Sequence, residues 1–222
     1  MKLHLGCGAV TPVGWVNLDG SWNAWAARFP LLRKALRVVP GIPKGLLEIP
    51  WSSRVVHHDV RKRLPFPDGS AEVVYASPLF DFVTFSEAKR LLKECHRVLK
   101  PGGVLRIVVE DIRRFLQEYL EGQPSQGLPE ELMNLPAADR LMARLLCQNP
   151  ESARGGILYR FYLRTTDLQT RKWAYDAESL EVRFREAGFT EVSEMPLLKS
   201  RIPGIEQVEK SAGICVEGIR PR

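Results

Sequence analysis

The hydrophobic and polar positions alternate between two periods along this chain, and the elements follow from that alternation. Lys2 to Leu5 has the short apolar pattern of a strand. Gly6-Cys7-Gly8 then makes a turn, and Trp15 to Leu18 forms a second strand closing on Asp19. Thr11-Pro12 leaves little room for a helix between these strands, because proline is tolerated only in a first helical turn. Val55 to His58 reads as a third strand ending at Asp59, and Ala71 to Ala76 as a fourth. Residues 86–99 carry apolar side chains at helical spacing, with Ser86 as N-cap and Lys100-Pro101-Gly102-Gly103 as the stop. Val104 to Val109 is a nearly continuous apolar run, as in a strand buried on both faces.

Asp111 is placed to cap an amphipathic helix that closes at Gly122, and Asp176 one that ends at Gly188. Strand-like stretches at 189–195 and 214–219 finish the chain. Strands alternating with helices predict an α/β fold with a doubly wound, mostly parallel sheet. The finish of strand, long connection and strand predicts a C-terminal antiparallel hairpin. We expect a single domain over 1–222, with a basic segment at 20–54 and an insertion at 112–172 that could cover an acceptor.

Composition narrows the class. The 222 residues are 45% hydrophobic and 26% charged, as in globular proteins. No stretch reaches the roughly 20 apolar residues of a membrane span, and the N-terminus has no apolar signal region. Cys7, Cys95, Cys147 and Cys215 form no CxxC pair, and the four histidines lack zinc-ligand spacing. A reduced, cytoplasmic protein without a metal is expected. Arg28 to Arg63 contains nine basic and two acidic residues, against +6 for the whole chain, so attraction to an acidic partner is local. Residues 22–39 can form a basic, tryptophan-bearing helix broken at Pro30. It suits a solvated flank of the site better than a membrane surface, and nucleic acid is disfavoured for want of a recognition module.

Ligands of open parallel sheets bind beyond the carboxyl ends of the strands. There, Gly6-Cys7-Gly8 can present backbone N–H groups, and Asp19 can accept hydrogen bonds from ribose hydroxyls. Asp59 can accept from an adenine amino group with Val60 against the ring, and Ser77 faces the middle of the cleft. Together they describe a pocket for an adenosine with a charged tail. NAD is disfavoured, since Thr11 stands where a third glycine would be, and no P-loop occurs.

The stretches LHLGCG (3–8), GWVNLD (14–19), HDVRKRLPFPDGSAEVVYAS (58–77), EAKRLLKECHRVLKPGGVLRIVV (87–109) and KWAYDAESLEVRFREAGFTEV (172–192) resemble class I methyltransferases, most closely small bacterial ones. The resemblance implies a Rossmann-like fold and S-adenosylmethionine as cofactor, held by Gly6, Gly8, Asp19, Asp59 and Ser77. Three features depart from the family. Asp81-Phe82 replaces a frequent Glu-His pair, Glu110 a proline, and Arg171 a histidine before Lys-Trp.

Asp81, Glu110 and Asp111 each follow a strand at the cleft edge and are the candidate bases or orienters of an acceptor. Ser77-Pro78-Leu79-Phe80 partly resembles the motif of amino-group methyltransferases, in which an aromatic ring stacks on a planar amine. Tyr119, Tyr159, Arg160, Phe161, Tyr162 and Arg164 lie in the covering insertion. The leading expectation is methyl transfer to an oxygen or nitrogen of a small-molecule acceptor, such as a saccharide or natural-product intermediate. Two alternatives stand beside it: a cofactor-binding scaffold or regulator with altered catalysis, and an enzyme acting on nucleic acid or a carrier-bound substrate.

Overall fold

The computed structural model describes residues 1–29, 31, 34, 51–123, 127–146, 170–210 and 213–222. Among these, strands β1 (Lys2–Leu5), β2 (Trp15–Asp19), β3 (Val56–His57), β4 (Ala71–Ala76), β5 (Leu99–Val109), β6 (Thr190–Met195) and β7 (Ile214–Ile219) form one sheet. Its order is β3-β2-β1-β4-β5-β7-β6. The first five strands run parallel, and β7 and β6 add antiparallel to β5, as the alternation of elements predicts. This is the doubly wound, Rossmann-like architecture with a C-terminal hairpin.

Helix α1 (Trp22–Ala27) follows β2, and the remainder of the 22–39 helix expected from the sequence lies mostly outside the described residues. Helix α2 (Phe85–Val98) buries Ala88, Leu91, Leu92, Cys95 and Val98. Its N-cap is Thr84 rather than Ser86. The Thr84 hydroxyl accepts from the Glu87 N–H while the Glu87 carboxylate accepts from the Thr84 N–H at 2.8 Å. A reciprocal capping box satisfies two orphan donors where Ser86 would satisfy one. Lys100-Pro101-Gly102-Gly103 is likewise no free turn: β5 begins at Leu99, paired with Ala71, and the register shifts before Val104 pairs with Val73. The tetrapeptide is a bulge within the strand, held by Gly102 N–H donating to the Arg220 carbonyl at 2.8 Å.

Helices α3 (Ile112–Leu120), α4 (Glu130–Met133) and α5 (Ala137–Leu146) occupy the described part of the insertion after β5, and α6 (Ala177–Glu186) precedes β6. Asp176 caps α6, accepting from the Ser179 N–H at 2.8 Å.

Strand periodicity sorts the sheet's side chains onto two faces. Leu3, Leu5, Val74, Ala76, Leu105, Ile107, Val109 and Val216 join Leu91, Leu92, Cys95, Leu180 and Phe184 in the main core beneath α2 and α6. Trp15, Val73, Tyr75, Val108 and Cys215 lie on the other face. Parallel strands are commonly joined by a crossover of a dozen or more residues, yet only Gly6–Gly14 separates β1 from β2 and none of it is helical. Among the described residues the cover on this face comes from the β6–β7 connection, whose Ile202, Ile205 and Val208 pack against those side chains.

That face also buries Arg106 at the centre of β5, wholly shielded from solvent. Its Nε and Nη2 donate to Glu209 at 2.7 and 2.9 Å, and its Nη1 donates to Glu217 at 2.9 Å. The Lys199 and Pro196 carbonyls take further bonds. A charge in a central strand is tolerable only with such complete pairing.

Candidate functional site

The turn after β1 is shaped by glycine. Gly6 lies at φ +65°, and a Cβ there would meet Leu79 at 3.2 Å; Gly8 lies at φ +54° with open space around the missing side chain. A left-handed backbone without Cβ leaves room for a ligand to come close to the chain. The Gly8 N–H donates to Asp19 Oδ2 at 3.0 Å and the Ser21 N–H to Asp19 Oδ1 at 2.8 Å. Asp19 therefore ties the first turn to the start of α1. A carboxylate has about four acceptor positions, so about two remain for ribose hydroxyls.

The other expected contacts divide. Ser77 follows β4, is buried, and its Oγ makes no hydrogen bond among the described residues, so it is an unused polar atom at the cleft. Asp59 is engaged by Arg61, whose N–H and Nε donate to Oδ1 at 3.0 and 2.9 Å and whose Nη2 donates to Oδ2 at 3.0 Å. Burial pushes this carboxyl up, but the Arg61 bonds outweigh it and hold it below the usual range. Val60 packs into the main core. The Cys7 side chain packs with Ala24 and Val55, its thiol pushed up to about 12 by burial and by the charge of Asp19. Cys7 contributes backbone to the turn rather than a side chain.

At the ends of β4 and β5 the three departures from the family pattern meet. Asp81 lies in a 3₁₀ turn (Phe80–Phe82) and is wholly buried. Its Oδ2 accepts from the Glu110 N–H at 3.4 Å; its Oδ1 has no hydrogen bond among the described residues and stands 3.9 Å from Arg171 Nε. Arg171 pairs through Nη2 with the Glu110 carboxylate, and its Nη1 donates to the Arg144 carbonyl at 2.9 Å. Arg144 Nη2 lies 4.0 Å from Glu110 Oε1. Both guanidiniums stand over the Phe115 ring, at 4.4 Å for Arg144 and 5.3 Å for Arg171. The chain after Arg171 is docked here too, since the Lys172 and Trp173 N–H groups both donate to the Asp81 carbonyl.

Desolvation raises the Asp81 carboxyl to about 7, further than Arg171 and the Glu110 N–H pull it back, with the Glu110 charge adding to the rise. A buried carboxyl tuned to neutral pH at the mouth of a parallel sheet is chemically equipped to accept a proton. Asp111 differs. It is the N-cap of α3, accepting from the Arg113 N–H at 2.9 Å. Phe80 is buried in the main core. Phe115, Arg144 and Tyr175 belong to the cluster although the sequence reading assigned them no role there; their contacts join segments far apart in the chain, which no spacing rule encodes. Tyr159, Arg160, Phe161, Tyr162 and Arg164 lie outside the described residues. Among the described residues no group of His, Cys, Asp or Glu can hold a metal ion, and no helix is long and apolar enough to cross a membrane.

Residues 3–107 match the family described as methyltransferase domain. A 42-residue stretch is 45% identical to malonyl-[acyl-carrier protein] O-methyltransferase 1 of Coxiella burnetii, covering 19% of this chain and 14% of that protein. Over its full length the chain is similar in fold to the S-adenosylmethionine-dependent methyltransferase SibL, with a TM-score of 0.50, 17% identity and 50% of that chain covered. The PH0226 protein of Pyrococcus horikoshii OT3 is 18% identical, with a TM-score of 0.48 over 100% of this chain and 81% of that one. The match over residues 3–107 is thus to a methyltransferase domain, and the fold is similar to that of a protein that uses S-adenosylmethionine. Gly6, Gly8, the spare acceptor positions of Asp19 and the unpaired Ser77 hydroxyl fit that cofactor.

Proposed function

We propose that the chain transfers the methyl group of S-adenosylmethionine to a hydroxyl oxygen of a small polar acceptor, with Asp81 accepting the hydroxyl proton. In this reading Asp19 holds the ribose, the Gly6–Gly8 turn approaches the cofactor's charged end, and Ser77 bonds its amino-acid portion. Asp59 and Val60 line the adenine end, with Asp59 oriented by Arg61. The cofactor supplies an electrophilic methyl on a sulfonium, so the protein's share is to hold the acceptor in line, exclude water and take the proton.

The carrying observation is the Asp81 carboxyl, buried with one oxygen that takes no hydrogen bond among the described residues and raised to about 7. An amine acceptor can lose its proton to solvent, whereas a hydroxyl needs a base. The burial of Phe80 speaks against the amine-stacking arrangement. Glu110, about one-third exposed, stands at the rim to orient the acceptor.

The test pairs calorimetry with isotope transfer. S-adenosylhomocysteine should bind the wild type and lose at least about tenfold in affinity with Asp19→Ala, which removes a ribose acceptor and unties the turn. Label from methyl-tritiated S-adenosylmethionine should enter hydroxylic acceptors, with Asp81→Asn slower by about 10²-fold or more. Absence of binding would sink the reading; binding without turnover on hydroxyl, amine and carboxyl acceptors would favour the scaffold alternative.

A further inference from the structure

We infer that Arg171 is a positioning residue that sets the protonation state of Asp81, with Glu110 as the competing anion for the same guanidinium; the catalytic meaning of this rests on Asp81 being the proton acceptor. Arg171 and Asp81 are both buried, and each turns an unpaired polar atom toward the other: Nε on one side, Oδ1 on the other, 3.9 Å apart. That separation is beyond a hydrogen bond yet short for two groups sealed from water. An ionised Asp81 has a cation waiting; a protonated one leaves Arg171 to Glu110, already its partner through Nη2.

The guanidinium cannot swing away. Its Nη1 is fixed on the Arg144 carbonyl, its plane is packed over Phe115, and the Arg171 N–H donates to the Leu146 carbonyl at 3.2 Å. The charge is therefore delivered from one direction, and the carboxylates on either side share it. The titratable and charged groups around Asp81 are Arg171, Glu110 by its carboxylate and its N–H, the buried Tyr175 phenol, Arg144 behind Glu110, and Lys172, whose N–H donates to the Asp81 carbonyl. Among the described residues Arg171 is the nearest cation to the Asp81 carboxylate, and Glu110 the nearest anion. Removing either should move the Asp81 proton equilibrium, in opposite directions.

The test needs neither cofactor nor acceptor. Protein labelled with ¹³C at the aspartate carboxyl is titrated by NMR from pH 5 to pH 9, with Asp81→Asn assigning the resonance. The wild-type midpoint is expected near 7. Arg171→Met should raise it by about one pH unit or more, the effect of a charge at this distance. Arg171→Lys, which keeps the cation, should recover most of that change. Glu110→Gln, which removes the like charge and the competitor, should lower the midpoint, and it tests the idea even if Arg171→Met does not fold. Midpoints unmoved in Arg171→Met or in Glu110→Gln would overturn the inference, since a merely structural role alters stability and leaves the titration in place. A chain that titrates as expected but transfers no methyl group would overturn the proposed function and leave this coupling standing.

Discussion

Asp81→Asn replaces the buried carboxyl with an amide of nearly the same shape that never ionises, so any pH-dependent difference from the wild type reports the cost of the charge. The folded carboxyl titrates at about 7 and its ordinary value is 3.8. Between those values the native state binds more protons than the unfolded chain, so wild-type stability falls as pH rises through that window. The full cost, reached above pH 7, is about 4 kcal/mol at 1.36 kcal/mol per pH unit. About 3 kcal/mol of it accumulates between pH 5 and pH 8 by the same arithmetic. Urea unfolding followed by tryptophan fluorescence measures both proteins at both pH values, and other titrating groups cancel in the difference. The variant should gain on the wild type by roughly 3 kcal/mol from pH 5 to pH 8. A gain below about 1 kcal/mol would mean that Asp81 is solvated or paired well enough to ionise at its ordinary value, and the reasoning that makes it a base at neutral pH would fail.

His4 carries the opposite sign. Burial pushes its imidazole down to about 4, so its contribution is complete above about pH 6.5 and is lost as pH falls toward 4; His4→Gln should flatten that acid limb by up to about 3 kcal/mol in the same urea assay. Arg106→Met should destabilise by about 3–5 kcal/mol, because it leaves Glu209 and Glu217 buried without their cation; a loss under about 1 kcal/mol would refute that. Gly6→Ala forces a Cβ against Leu79 in a left-handed backbone and should cost about 1–3 kcal/mol of stability. Calorimetry should also show it weakening S-adenosylhomocysteine binding.

The sheet was legible because period-2 and period-3.6 patterns alternate along the chain, and because Gly6, Asp19, Asp59 and Ser77 all fall at or just after strand ends. Helix starts were less legible. Ser86 and Thr84 are both good caps, and the choice depended on whether Glu87 could reach back. Arg106 sat within an apolar run whose meaning required Glu209 and Glu217, more than a hundred residues away. The acceptor end was legible as three anomalies, Asp81, Glu110 and Arg171, and illegible as one cluster. Ion pairs between distant segments have no period. Asp111 shows the converse, since a carboxylate after a strand also stands just before a helix, and the Arg113 N–H of α3 claimed it.

The β6–β7 connection that lies over Trp15, Val73 and Tyr75 has a consequence for how the protein is made. Residues 3–107 match the methyltransferase-domain family, yet among the described residues one side of their sheet gains its cover from Ile202, Ile205 and Val208. During synthesis that surface waits for chain made some ninety residues later. The first half is therefore a poor candidate for independent folding. A ribosome stalled, or a protease cutting, ahead of Ile202 would release an aggregation-prone intermediate rather than a smaller enzyme.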